Sequence, residues 1–204
     1  VTGVQTCALP ISLIGSPHPD FSYGINAGFQ FMGFDFNMFW QGVWGNQIFA
    51  TLINDFLGGN PNTNFHKDAF NAYGSPSEDG NDPGFTETDI PRLDANQENQ
   101  NFRVSDFYIM DGAYIRLKNL QVGYTIPQRV FDFAGVRKFR IYLAGQNLLT
   151  FTNYEYGYDP EIGRSYNNYG LRQEKNNQQT LQMAIDRGVY PQARTIMFGI
   201  NLVF

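Results

Sequence analysis

Side chains able to do acid–base or metal chemistry are sparse in this sequence, and none is spaced for it. Asp159 and Glu161 could be imagined as the carboxylate pair of a glycosidase, one protonating a leaving group while the other attacks or activates water. They stand two apart beside Pro160, and nothing around them sets up the separation or pKa asymmetry such catalysis needs, so no enzyme is expected. His18 and His66 lie far apart in loop-like sequence without ligand spacing, and the acidic, glycine-bearing run Ser77 to Asp82 does not fit a calcium loop. Neither a metal nor a cofactor is expected. Binding chemistry is better served. Tyr154, Tyr156, Tyr158, Tyr166 and Tyr169, interleaved with Asn153, Asn167 and Asn168, offer flat apolar faces beside amide donors and acceptors. That combination suits sugar rings or peptide backbones, although tyrosines are equally used to pack a loop against its neighbours or another protein.

The elements that must carry these residues are strands. The chain closes on a run from Ala193 to Phe204 in which Ile196, Phe198, Ile200, Leu202 and Phe204 share one face, with Thr195, Met197, Gly199, Asn201 and Val203 on the other. Such alternation sustained over about 9 to 11 residues is what a membrane-crossing strand requires, one face meeting lipid and the other a lumen. Composition agrees: the chain holds 19 Phe, 12 Tyr and 21 Gly, and its net charge of -5 excludes the basic footprint of a nucleic-acid binder. No run of about 18 apolar residues exists to form a spanning helix.

The same period recurs upstream. Phe21, Tyr23, Ile25, Ala27, Phe29 and Phe31 alternate with small and polar residues, Met32-Gly33 reads as a tight turn, and Phe34, Phe36, Met38, Trp40 and Trp44 continue the pattern. A third strand is expected over Ala113 to Ile126 and a fourth from Lys138 to about Leu148, with the last from Ala193 on. Arg116 and Lys118 fall on the outward parity of the third strand, which places them at the headgroup level or beyond a bulge. Pro127 to Val136 is a short connection, whereas Gly45 to Asp111 and Thr150 to Gln192 are long and polar. Short and long connections therefore alternate, as they do in barrels whose short turns face the periplasm and whose long loops face outside. The expected fold is all-β: five antiparallel strands forming an open, curved sheet. Five strands cannot close a barrel, so the chain reads as part of a larger one.

Ser105-Asp106-Phe107-Tyr108-Ile109-Met110-Asp111-Gly112-Ala113-Tyr114-Ile115-Arg116-Leu117-Lys118-Asn119-Leu120-Gln121-Val122-Gly123-Tyr124-Thr125-Ile126-Pro127, then Arg140 to Thr152 and Tyr158-Asp159-Pro160-Glu161, resemble the C-terminal end of SusC/RagA-type TonB-dependent outer-membrane receptors. Ile14 to Phe21 and the terminal Phe204 match as well, so the resemblance covers residues 12–204. Val1 to Ile11, which include the only cysteine, Cys7, instead resemble a translated sequencing-library adapter.

The resemblance implies a 22-stranded barrel in the Gram-negative outer membrane, closed by an N-terminal plug. Such receptors import oligosaccharides or peptides with a SusD-like surface lipoprotein as lid, driven by the TonB complex acting on the plug. It also implies that Gly199, Leu202 and Phe204 belong to the C-terminal signal read by the barrel-assembly machinery, with Met197 a mild departure from the polar residue common there. A passive porin and a soluble β-rich binding domain are the competing readings.

Overall fold

The computed structural model describes residues 13–57, 64–74, 88, 90–93, 103–130, 135–163 and 183–204. The adapter-like segment, the acidic run Ser77 to Asp82, Tyr166 and Tyr169 lie outside these residues. In chain order the strands and helix are β1 (Phe21–Phe31), β2 (Phe34–Trp44), β3 (Gln47–Ala50), α1 (Leu52–Leu57), β4 (Ile109–Asp111), β5 (Tyr114–Ile126), β6 (Lys138–Thr152), β7 (Ile185–Asp186) and β8 (Thr195–Val203). They form two sheets. The larger, ordered β1-β2-β5-β6-β8, is antiparallel throughout and open at both edges; the smaller is ordered β4-β3-β7.

The hairpin expected at Met32-Gly33 is present, and β1 pairs with β2 over its full length, from Phe31 opposite Phe34 to Phe21 opposite Trp44. Met32 and Gly33 have φ of 48° and 88°. Positive φ at both central residues gives a two-residue turn the right-handed twist that its flanking strands share. Register then sorts the side chains of the large sheet. Phe29, Phe36, Val122, Leu143 and Phe198 lie opposite one another across all five strands, while the neighbouring row runs Gln30, Asp35, Gly123, Tyr142 and Gly199. One face is therefore apolar and aromatic, the other rich in amides, hydroxyls and glycine. On the apolar face Phe29, Phe31, Phe34, Phe151 and Phe198 are all exposed. Cross-strand rings stack there, Phe29 on Phe36 at 5.1 Å and Phe34 against Tyr124 at 4.5 Å between centroids. Each such pair contributes about 0.5–1.5 kcal/mol beyond area burial.

The strict period breaks once, at one level of the sheet. Phe39 pairs with Asn119 but Trp40 with Leu117, leaving Lys118 as an extra residue in β5; Asn119 pairs with Gln146 but Leu117 with Leu149, leaving an extra residue in β6 near Asn147, whose φ is 52°. In β5 the single extra residue shifts parity by one, so the side chains from Leu117 back to Tyr114 change face, whereas β6 keeps its odd-numbered residues on the apolar face throughout. Arg116 therefore turns to the polar face, opposite Gln41 and Thr150, instead of toward the headgroups. Of the two positions expected for Arg116 and Lys118, the bulge is the one adopted. β6 runs to Thr152, past the expected end near Leu148.

The long connections are more than polar loops. The first supplies β3, α1 and β4, the second supplies β7, and β3 pairs antiparallel with β4 and parallel with β7. Their apolar residues make the most buried cluster among the described residues: Ile48, Ala50, Ile53, Leu57, Ala69, Tyr108 and Tyr154. Polar composition had hidden this cap, because short strands and a six-residue helix need few apolar residues to close a small core. Among the described residues the buried core therefore sits in the cap, and the large sheet exposes its apolar face.

Candidate functional site

The polar end of the large sheet meets the cap around Arg116. Its guanidinium donates to Thr150 Oγ1 at 2.9 Å, Glu161 Oε2 at 2.8 Å and Asp159 Oδ1 at 2.6 Å. Lys118 Nζ adds a bond to the same Glu161 oxygen at 2.6 Å. Arg116 and Asp159 are each only 3% exposed, so neither charge could remain there alone. Asp159 also accepts from the backbone N–H groups of Glu161 and Gln192. Burial pushes its carboxyl up, but the Arg116 bond and the two amides outweigh that and hold it below the ordinary 3.8. Asp159 and Glu161 are thus both tied to cations of β5 in one cluster of charges.

The five tyrosines part company. Tyr154 is 5% exposed and its hydroxyl donates to Asp186 Oδ2 at 2.6 Å; Asp186 is fully buried and also accepts from the N–H groups of Gly188 and Val189. Burial and that carboxylate raise the Tyr154 phenol far above its usual range. Tyr156 donates to Asp68 Oδ2 at 2.9 Å and sets its ring edge-on to His66 at 5.4 Å, and burial followed by the Asp68 bond pushes its phenol up to about 12. The Tyr156 bond ties the second connection to the first, whereas the Tyr154 bond stays within the second. Tyr158 is 61% exposed and presents a free aromatic face beside the Asp159 turn. His66 accepts from Asp68 N and stands at the start of a short 3₁₀ turn, while His18 lies at the foot of β1, so the histidines do not converge. Among the described residues no three His, Cys, Asp or Glu side chains gather as metal ligands.

Lower on the polar face, Arg140 clasps Asp35 through Nε at 2.8 Å and Nη2 at 2.5 Å, reaching across β5 at Gly123. A Cβ on Gly123 would sit 2.5 Å from both Arg140 Nη2 and Asp35 Oδ1, so only glycine leaves room for the clasp. The Arg140 guanidinium also lies over the Tyr142 ring at 4.9 Å from the centroid, and Tyr142 in turn covers Gly199 of β8, where any Cβ would collide with the ring. Leu202 pairs with Phe139 on the apolar face, and Phe204 follows the last strand, exposed.

Sequence reasoning found the Tyr158 turn and the strands but not the pairing of Arg116 and Lys118 with Asp159 and Glu161. Its signal was present: two cations two apart in one segment and two anions two apart in another. The bulge that brings them together has no local signature. Taken as a whole, the site joins an amide-lined wall to a hydrogen-bonded cap, with the exposed Tyr158 ring at their junction.

No protein-family model matches the chain. TonB-dependent receptor P3 of Formosa agariphila is 36% identical over 192 residues, covering 94% of this chain and 17% of that receptor. TonB-dependent receptors P26 and P39 of the same organism are 28% and 26% identical, over 94% and 95% of this chain and 18% and 17% of their own lengths. The solved RagAB peptide transporter superposes with a TM-score of 0.67 at 24% identity, over 93% of this chain and 18% of that one. The RagAB peptide importer in its open-open state gives 0.63 at 25% identity over the same shares. The chain thus spans 17–18% of the length of the relatives it matches, and they are named as receptors and transporters, not enzymes. With its alternating wall strands and ordered motifs agreeing with these likenesses, the chain is similar to TonB-dependent receptors over nearly every residue after the adapter-like segment and shares the fold of the matching part of the RagAB transporter.

Proposed function

We propose that this chain is the C-terminal part of the barrel wall of an outer-membrane, TonB-dependent nutrient importer of 22 strands, and that the cap formed by its long connections faces outside. The observation that supports this most directly is the two-faced sheet. β1 carries its apolar alternation from Phe21 to Phe31, 11 residues. Ten steps of about 3.4 Å tilted by about 45° span about 24 Å, close to the roughly 25 Å apolar band of such barrels. Outside a membrane, the same exposed Phe, Trp and Ile face would drive association.

The cargo is an oligosaccharide or a peptide, captured beneath a SusD-like lipoprotein and drawn in when the TonB complex acts on a plug. Tyr158, with Tyr166 and Tyr169, contacts that cargo or the lid, while Tyr154 and Tyr156 hold the turn behind them. Gly199, Leu202 and Phe204 act in recognition by the barrel-assembly machinery, and the aromatic face rests in outer-membrane lipid. Uptake of labelled oligosaccharide and peptide pools by cells carrying the whole receptor, with and without TonB, tests the proposal. Loss of uptake without TonB is expected; uptake that survives would make the protein a passive porin. A monodisperse, detergent-free monomer of the wall strands would favour the soluble domain instead.

A further inference from the structure

The four charges at the cap junction balance, and they come from the two segments that sequence alone left unconnected. Arg116 and Lys118 lie on the wall strand β5, Arg116 reaching the polar face only because of the bulge, whereas Asp159 and Glu161 lie on the connection after β6. The far side of that connection is tied in by the same carboxylate, since Asp159 Oδ2 accepts from Gln192 N just before β8. Both ends of a long excursion are thus fastened at one buried point on the wall. Farther from the wall, Tyr154 and Asp186 fasten the same excursion to itself, and Tyr156 and Asp68 fasten it to the first connection.

We propose that Arg116 is a positioning residue: with Lys118 it locks the Asp159-Pro160-Glu161 turn to the barrel rim, so that the cap keeps a fixed seat on the wall and Tyr158 a fixed place at the mouth. The chemistry explains the choice of side chain. One planar guanidinium serves Thr150, Asp159 and Glu161 at once, which a lysine ammonium at the same point cannot do with equal geometry. Pro160 stiffens the turn between the two carboxylates, so fixing one fixes the other. The value of the lock for cargo or lid contact rests on the import reading above; the lock itself does not.

The test uses the whole receptor in lipid vesicles, spin-labelled at Asn119→Cys on the wall and Tyr158→Cys on the turn, with the distance distribution read by pulsed electron resonance. A single narrow peak is expected. Arg116→Met should abolish it and leave a broad distribution, Arg116→Lys should restore part of it, and the heat-modifiable gel mobility of the folded barrel should not change. If Arg116→Met prevents assembly, the partly exposed partners provide the test through Lys118→Met and Glu161→Gln, each expected to broaden the peak. A peak that stays narrow in all folded variants overturns the lock. Separately, binding of oligosaccharide and peptide pools to the unlabelled Arg116→Met receptor tests the import reading, because unaltered binding beside a broadened peak would count against Tyr158 as a contact and not against the lock.

Discussion

The two-faced wall makes a sharp prediction for arginine placed at two successive residues of β2 and at the far end of β1. Met38 pairs with Ala27 of β1 and Leu120 of β5 on the apolar face, one residue from the midpoint of an 11-residue strand. Asn37 points to the polar face beside Gln121, and Phe21 lies on the apolar face at the far end of β1, opposite Trp44. At the bilayer midplane an arginine on the lipid face costs about 2–4 kcal/mol, falling to about 0–1 near the interfaces. Met38→Arg should therefore destabilise the whole receptor by about 3 kcal/mol, a shift of about a hundredfold in the folding equilibrium. Phe21→Arg should cost less than about 1 kcal/mol from its depth, and Asn37→Arg should stay within about 0.5 kcal/mol. Urea titrations of the receptor in phospholipid vesicles, followed by tryptophan fluorescence, would measure the three. An Asn37→Arg penalty equal to that of Met38→Arg would refute the assignment of faces, and equal penalties at Met38 and Phe21 would refute the depth argument.

Other expectations follow from the cap and the last strand. Tyr154→Phe removes a donor from fully buried Asp186 and should loosen the cap by about 1–3 kcal/mol, seen as faster amide exchange in β3 and β7 with the wall unchanged. Because the Tyr156 phenol is raised from 10.0 to about 12, its contribution is complete below pH 10 and lost as pH rises toward 12; tyrosinate absorbance should show this ring among the late titrators. Asp159 has the opposite sign: its carboxyl lies below 3.8, so its contribution is present above that pH and lost as pH falls through its depressed value. Cap protection factors, the exchange rates corrected for the intrinsic pH dependence of amide exchange, should accordingly be flat between neutral pH and the ordinary carboxylate range. Gly199→Val would drive a side chain into the Tyr142 ring, and the yield of assembled, heat-modifiable barrel should fall while Asn201→Ser leaves it intact.

Much of the wall was legible because a strand with one face in lipid repeats a two-residue period over its whole crossing, and that period survives in the residues themselves. β1, β2 and the Met32-Gly33 turn needed nothing beyond alternation and turn chemistry. The tyrosines were also visible as a group, but their roles were not: the same ring is a core residue at Tyr154 and an exposed face at Tyr158, and only burial separates the two. Gly123 and Gly199 look alike in sequence, yet one makes room for a clasp between Asp35 and Arg140 and the other for the Tyr142 ring.

By itself, then, the sequence determined the five long strands, their faces apart from the stretch of β5 beyond the bulge, and the order of short and long connections, since each of these rests on neighbours along the chain. Tertiary structure alone decided that Arg116 faces inward, that two distant polar stretches share one sheet and one core, and that Asp159 and Glu161 neutralise cations of the wall. The physical reason is common to all three. A bulge costs one unpaired residue and has no compositional mark, and a buried ion cluster depends on partners 43 and 45 residues apart, whose meeting is set by strand register and not by local preference.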